Sequence, residues 1–141
     1  MNYLLDTNVI SELVARQPNQ KVLDWVDSLD PATVYLSVIT IGEIRKGIER
    51  AQSPQRKVVL TTWFYSDLLV RFDGKIAEIT SEVALVWGEL IGRLEARGQP
   101  LPALDSLIAA TALAGNYTIA TRNDQDFLAS GATVVNPWTQ P

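Results

Sequence analysis

The chain has 141 residues, of which 47% are hydrophobic and 20% charged, and this composition suits one soluble globular domain. The net charge of −4 argues against non-specific electrostatic capture of nucleic acid, and the absence of cysteine excludes disulfides and thiolate chemistry. Histidine is absent as well, which excludes a Ser-His-Asp triad, a histidine base and ordinary zinc sites, so any catalysis falls to other polar side chains or to a bound hard cation.

Short apolar segments alternate with amphipathic helical patterns along the chain. Strands are predicted at residues 1–5, 33–39, within 70–79, at 117–120 and at 133–135. Helices are predicted to begin at Thr7 and Thr40 and to cover 22–29, 56–69, 81–98 and 105–115. Pro18 and Pro54 are expected to end the first and the third helix.

This alternation predicts an α/β fold in which a central, mainly parallel sheet of four to five strands is flanked by helices. Residues 1–141 are expected to form a single domain, since no repeat or linker-like segment divides them. No membrane span or export signal is recognised, so a cytoplasmic protein is expected. Ligands of such sheets bind beyond the carboxyl ends of the strands.

Four acidic residues stand at or near these strand ends: Asp6, Glu43, Asp105 and Asp126. Each has an ordinary explanation. Asp6 could cap a helix, Glu43 could form a capping box with Thr40, Asp105 could favour the positive end of its helix, and Asp126 could be an acid in a turn.

Taken together, the four acids favour a shared metal site. Carboxylates that meet at one sheet edge repel one another unless a cation lies among them, and hard ions such as Mg²⁺ or Mn²⁺ prefer oxygen ligands. Without these four, acidic and basic residues are balanced at 12 each. An acidic pocket loaded with such an ion could therefore accept a phosphodiester.

Five ordered segments make the sequence similar to a known family. They are LLDTNVISE at 4–12, LSVITIGEIRKG at 36–47, PALDSLIAATA at 102–112, ATRN at 120–123 followed by Asp126-Phe127, and VNPW at 135–138. In order and content they resemble the PIN-domain ribonucleases of the VapC type, the toxins of type II toxin–antitoxin pairs, and within these the FitB-like branch.

The resemblance implies a PIN-like fold in which Asp6, Glu43 and Asp105 bind Mg²⁺ or Mn²⁺. A fourth acid is expected after the last core strand, where some relatives carry aspartate and this chain has Asn123. Asp126 is assigned to that role, and Asp124 is the alternative.

Thr7, Asn8, Thr121 and Asn123 are expected to orient these carboxylates by hydrogen bonds. The implied reaction is metal-dependent hydrolysis of RNA that leaves a 5′ phosphate.

The implied partners are RNA, a small VapB- or FitA-like antitoxin, a second copy of the chain, and operator DNA reached only through the antitoxin. Aromatic residues at 63–65 and Trp87 could serve the dimer or the antitoxin, although core packing is the simpler explanation for each.

A receiver-like phosphoacceptor domain of signalling proteins is the alternative function. It requires adjacent acids after the first strand and a late lysine, whereas this chain has no lysine after Lys75. A phosphatase with an aspartyl nucleophile would need a second aspartate at Asn8, and no glycine fingerprint of a dinucleotide-binding domain follows the first strand.

Overall fold

Strands and helices alternate through residues 1–140, the part of the chain that the computed structural model describes. The strands are β1 (Asn2–Leu5), β2 (Val34–Ser37), β3 (Ile76–Ala77), β4 (Tyr117–Ala120) and β5 (Thr133–Val135). The helices are α1 (Thr7–Leu13), α2 (Gln20–Asp27), α3 (Val38–Glu49), α4 (Pro54–Trp63), α5 (Leu69–Arg71), α6 (Ser81–Ala96), α7 (Ala103–Gly115) and α8 (Asp124–Phe127). A π-helical turn, Phe64–Leu68, joins α4 to α5.

The five strands form one parallel sheet in the order β3-β2-β1-β4-β5. The predicted α/β architecture is thereby confirmed. The strand order reverses between β1 and β4, because the chain moves outward from β1 through β2 to β3 and then returns to β1's other side. Such a reversal opens a crevice beyond the strand ends.

Apolar side chains cover both faces of the sheet, because successive residues of a strand point to opposite faces. Leu5 belongs to the core that packs with α1, α2 and α3, and Leu4 belongs to the core that packs with α6 and α7. Both leucines are fully buried. These two cores fix β1 at the centre of the molecule and hold the residue that follows it, Asp6, in place.

Helix α3 begins earlier than its sequence predicts. Ser37 caps it by accepting a hydrogen bond from Ile39 N at 3.0 Å, so β2 ends at Ser37 and Thr40 lies inside the helix. The predicted capping box between Thr40 and Glu43 is therefore wrong, and Glu43 lies in the second turn of α3 with its side chain available for other contacts.

Smaller differences concern other element boundaries. The third strand covers only Ile76–Ala77, at the edge of the sheet, and α7 starts at Ala103 rather than at Asp105. The prediction that Pro54 ends the third helix is wrong, because α3 already ends at Glu49. Pro54 is instead the first residue of α4, since proline needs no amide donor there and Ser53 caps the helix. No helix within residues 1–140 has both the length and the apolar character needed to cross a bilayer.

Candidate active site

A cavity of about 520 Å³ opens beyond the carboxyl ends of the central strands. Three of the predicted site acids line it: Asp6 after β1, Glu43 on α3 and Asp105 in the first turn of α7. The fold thus brings together residues that lie as far as 99 positions apart in the sequence. Asn8 and Asn123 line the same cavity.

Asp6 is held by hydrogen bonds on both carboxylate oxygens. Its Oδ1 accepts from Thr7 N at 2.8 Å, and its Oδ2 accepts from Thr121 Oγ1 at 2.8 Å and from Asn8 Nδ2 at 3.4 Å. Asp6 is the N-cap of α1, as one of the predicted explanations has it, and it also faces the cavity. Burial raises the pKa of Asp6, the bonds from Thr121 and Thr7 oppose that rise, and the charge of Glu43 adds to it.

Thr121 connects the two strands at the point where their order reverses. It follows β4 directly, is fully buried, and donates its hydroxyl proton to Asp6. The same oxygen accepts from Asn8 Nδ2 at 3.3 Å and from Asn123 N at 3.0 Å. The Thr121 hydroxyl thus makes one hydrogen bond as donor and two as acceptor, which fixes its orientation and that of the Asp6 carboxylate.

Glu43 is positioned by Thr7. Thr7 Oγ1 donates to Glu43 Oε1 at 2.6 Å, and Thr40 Oγ1 lies 3.5 Å from the same hydroxyl. Thr7 therefore contacts two of the site acids at once, Asp6 through its backbone amide and Glu43 through its side chain. The backbone amide of Arg122 donates to Asn8 Oδ1 at 3.1 Å, and this bond fixes the Asn8 side chain as well.

Asp105 and Asp126 differ from these two acids. Within residues 1–140, neither carboxylate accepts a hydrogen bond. Partial burial, followed by the negative charges of Asp6, Glu43 and Asp126, raises the pKa of Asp105 from its ordinary 3.8 to about 6. The four predicted acids thus share one electrostatic environment.

The fourth predicted position is more peripheral. Asp126 is exposed, lies in the short helix α8 rather than in a turn, and is not among the residues that line the cavity. Asp124, the alternative, accepts a hydrogen bond from Gln125 N at 3.1 Å at the start of the same helix. Asn123 lines the cavity directly, and its backbone amide contacts Thr121.

The donor set suits a hard divalent cation, since the cavity offers carboxylate, hydroxyl and amide oxygens and the chain has neither histidine nor cysteine. As the side chains of residues 1–140 stand, no three of the acids are close enough to one another to coordinate a single ion. Coordination by Asp6, Glu43 and Asp105 together therefore requires a side chain to rotate, and Asp105 has no hydrogen bond that opposes this.

Sequence reasoning missed several lining residues. Ser11, Glu12 and Ala15 continue the α1 surface that begins at Asn8, and the helical spacing of three to four residues from Asn8 was the available signal. Arg122 and Trp138 also line the cavity, although both lie within segments that carry the family resemblance.

Comparison with known proteins gives consistent matches over nearly the whole chain. The model of the family described as "PIN domain" matches residues 3–131. "Plasmid stability protein StbB" of Pseudomonas syringae pv. tomato is 40% identical, "Toxin FitB" of Neisseria gonorrhoeae 39% and "VapC ribonuclease Y4jK" of Sinorhizobium fredii 33%. Each alignment covers 96% of this chain and 96–97% of the relative.

Solved structures agree with these relatives. The crystal structure of FitAcB from Neisseria gonorrhoeae superposes with a TM-score of 0.94 at 38% identity, covering 98% of this chain and 99% of the matched one. The structure of FitAB bound to an IR36 DNA fragment gives a TM-score of 0.93 at 38% identity, with coverage of 99% and 97%.

Proposed function

The chain belongs to the PIN-domain family, and we propose from this membership that it is a ribonuclease that acts as the toxin of a toxin–antitoxin pair. Relatives with 33–39% identity over nearly the full length carry the names of a toxin and a ribonuclease. Each of these alignments covers 96% of the chain.

The observation that supports a nuclease site most strongly is the common cavity of Asp6, Glu43 and Asp105. Three acids that form no ion pair within residues 1–140 are costly to place at one partly buried site, and the pKa of Asp105, raised to about 6, indicates this cost. Structural roles alone do not account for this arrangement, because capping by Asp6 needs neither of the other two. This favours the metal-dependent activity over a purely structural role.

The metal is part of the proposal. Asp6, Glu43 and Asp105 would hold Mg²⁺ or Mn²⁺, with Asp126 as the fourth acid at the rim. Such an ion supplies positive charge for the phosphate oxygens and acidifies water for attack.

The residues of the chain divide the remaining work. Thr121 and Thr7 hold the Asp6 and Glu43 carboxylates in fixed orientations, at 2.8 and 2.6 Å respectively. Glu43 orients the attacking water and accepts its proton. Hydroxide adds to phosphorus, the bond to the 3′ oxygen breaks, and that oxygen takes up a proton from solvent water, which leaves a 5′ phosphate and a 3′ hydroxyl; Glu43 returns its proton to solvent.

Cleavage assays with purified protein test this function. We expect cleavage of single-stranded RNA that requires Mg²⁺ or Mn²⁺ and stops when EDTA is added. Asp6→Asn should fold normally and lose at least about a hundredfold in rate, because a charged ligand is removed. Asp73→Asn is the matched control, since Asp73 is exposed and outside the cavity. Undiminished magnesium-dependent cleavage by folded Asp6→Asn would refute the assignment.

The receiver-like alternative is not supported. The PIN family model matches residues 3–131, and the aspartate that follows β1 is 6% exposed and engaged by three donors, which leaves it poorly placed to accept a phosphoryl group.

We also propose an antitoxin partner, a dimer of the toxin, and a cytoplasmic location where RNA and operator DNA are found. A similar solved structure is described as FitAB bound to an IR36 DNA fragment, and we propose that any DNA contact of this toxin is made through its antitoxin. An apolar groove of about 250 Å³ lies beside the acidic cavity, with Ile44, Leu60 and Trp63 in its walls.

The aromatic residues considered for partner contacts separate into two groups. Phe64 is buried in the core, and Trp87 is partly buried with its Nε1 donating to Ser106 Oγ at 2.9 Å, so packing explains both. Tyr65 is 53% exposed and lies on the same helical segment as exposed Val58. Val58→Glu should weaken co-purification with the antitoxin encoded beside this gene and leave RNA cleavage by the purified toxin unchanged.

A further inference from the structure

Arg122 and Trp138 form a pair at the wall of the acidic cavity. The Arg122 guanidinium carbon lies 5.3 Å from the centre of the Trp138 ring, and both side chains line the cavity with Asp6, Glu43 and Asp105. Among the lining residues Arg122 is the one cation and Trp138 the one aromatic residue. The proposed reaction assigns a role to neither of them.

The pair is held in place by Asn136. Asn136 Nδ2 donates to the Arg122 carbonyl at 3.2 Å, and Asn136 Oδ1 accepts from Trp138 N at 2.9 Å. One side chain thus ties the segment after β4 to the segment after β5. Pro137, between Asn136 and Trp138, is buried, and Trp138 packs against the core that includes Leu5. Hydrogen bonds and core packing therefore hold the Trp138 ring in position at the cavity wall.

Within residues 1–140, the Arg122 guanidinium contacts the Trp138 ring but makes no ion pair. The Arg122 side chain is exposed, and the cavity beside it carries four acids. A guanidinium at the edge of an acidic site suits a phosphate group of a ligand that reaches the acids. Trp138 is partly exposed and lines the cavity, and an indole ring is a side chain on which a base can stack.

We propose that Arg122 and Trp138 form a nucleotide-binding wall that takes one unstacked base on Trp138 and an adjacent phosphate on Arg122. This inference rests on the proposed function. It specifies the substrate as RNA that is single-stranded at the cleavage site, because a base within a duplex is already stacked on both sides and cannot lie on the ring.

Binding of intact and abasic RNA distinguishes this role from a structural one. The probes are a fluorescein-labelled, eight-nucleotide single-stranded RNA and the same ribose-phosphate chain without bases, and binding is measured by fluorescence anisotropy with Ca²⁺ in place of Mg²⁺. The wild-type protein should bind the abasic chain about tenfold more weakly, since stacking of one base on an aromatic side chain contributes that order of affinity. Trp138→Leu should bind both probes equally.

Two variants separate stacking and charge from folding. Trp138→Phe keeps an aromatic ring and most of the packing, so it should retain the preference for intact RNA. Arg122→Gln should weaken binding of both probes by the same factor, about tenfold, because a phosphate is present in each. Circular dichroism of each variant reports whether the fold is retained.

The outcomes also separate this inference from the proposed function. Equal binding of intact and abasic RNA by the wild-type protein would contradict the proposed role of Trp138. An unchanged preference for intact RNA in folded Trp138→Leu would contradict it as well. Magnesium-dependent cleavage of the intact probe is measured in parallel. Cleavage together with base-independent binding would leave the nuclease assignment standing and remove only the role of Trp138.

Discussion

The two halves of the acidic site are built in opposite ways. Asp6 and Glu43 each receive a short hydrogen bond from a threonine hydroxyl, and Asp6 is almost fully buried. Asp105 and Asp126 receive no hydrogen bond within residues 1–140, and Asp126 is exposed. Hydrogen bonds fix the side chains of the first half, whereas Asp105 in the second half is governed by partial burial and by the charges of the neighbouring acids.

In our proposal, Asp6 and Glu43 are metal ligands that the fold already holds in place, whereas Asp105 and Asp126 are ligands whose charges a bound cation would balance. The Thr121 hydroxyl opposes the burial that raises the pKa of Asp6, and the Thr7 hydroxyl holds Glu43, and neither adds a positive charge that would compete with a bound cation. Asp105 lacks such donors, and its carboxylate therefore remains destabilised by its neighbours. In our proposal the cation offsets this destabilisation, so the activity and the stability of the metal-free protein should respond in opposite directions to changes at Asp105.

The largest effect is expected for Asp105→Asn. We expect RNA cleavage to fall by at least about a hundredfold because a ligand charge is lost. At neutral pH the metal-free protein should unfold at a temperature a few degrees higher than wild type, because the cost of a partly buried charge and its repulsion by the neighbouring acids are removed. Differential scanning fluorimetry in EDTA checks this. Asp126→Asn, an exposed member of the same half, should change both quantities less, and a lower unfolding temperature for Asp105→Asn would contradict the comparison.

A second, intermediate effect is expected for Thr121→Val, which is nearly isosteric but lacks the hydroxyl. The buried Asp6 carboxylate would lose one of its three donors, at a cost of about 2 kcal/mol in the free energy of unfolding. Cleavage should fall by about tenfold to a hundredfold, since the ligand is no longer oriented. Urea denaturation and cleavage rates measure the two effects. Thr121→Ser restores the hydroxyl and should recover most of both; a Val variant as stable as wild type would show that this bond matters little.

Thr7→Val should act on activity more than on stability. Glu43 is only partly buried, so water can replace the Thr7 hydroxyl at little cost to folding. The orientation of Glu43 would be lost, and we expect kcat to fall by about tenfold with KM unchanged. Thr7→Ser is the control. If KM rises instead, Glu43 contributes to RNA binding rather than to orientation of water.

The smallest effect is a pH dependence of stability in the metal-free protein. The pKa of Asp105 is raised in the folded state from 3.8 to about 6, so the folded protein binds this proton more tightly than the unfolded chain does. Stability from this group is therefore complete below about pH 4 and is lost as the pH rises through 6. Asp105→Asn should flatten that part of the stability profile measured by denaturation in EDTA, and an identical profile for both proteins would contradict the assignment.

Sequence patterns predict the strands of this fold better than the contacts between them. Strands β4 and β5 have the predicted bounds, since both are short β-branched or aromatic segments set off by turns. The sequence does not locate the start of α3 because Ser37 and Thr40 are both good capping residues. In the structure Ser37 is the last paired residue of β2 and also the cap of α3.

The same holds for the site, where the sequence shows which residues follow strands but not which of them contact one another. Polar residues that follow strands are visible in the sequence, and this placed Asp6 and Thr121 correctly at one sheet edge. The bond between them spans 115 positions and depends on the packing of β1 beside β4. Trp138 was missed as a lining residue because its approach to the cavity depends on the turn that Asn136 stabilises after β5.

Titration with Mn²⁺, followed by electron paramagnetic resonance, tests most directly whether the acids of both halves hold one metal. Our account predicts saturable binding by the wild-type protein, with affinity reduced at least about tenfold in Asp6→Asn and in Asp105→Asn. Asp73→Asn should bind as wild type does. Equal Mn²⁺ affinity in all four proteins would contradict a shared metal site.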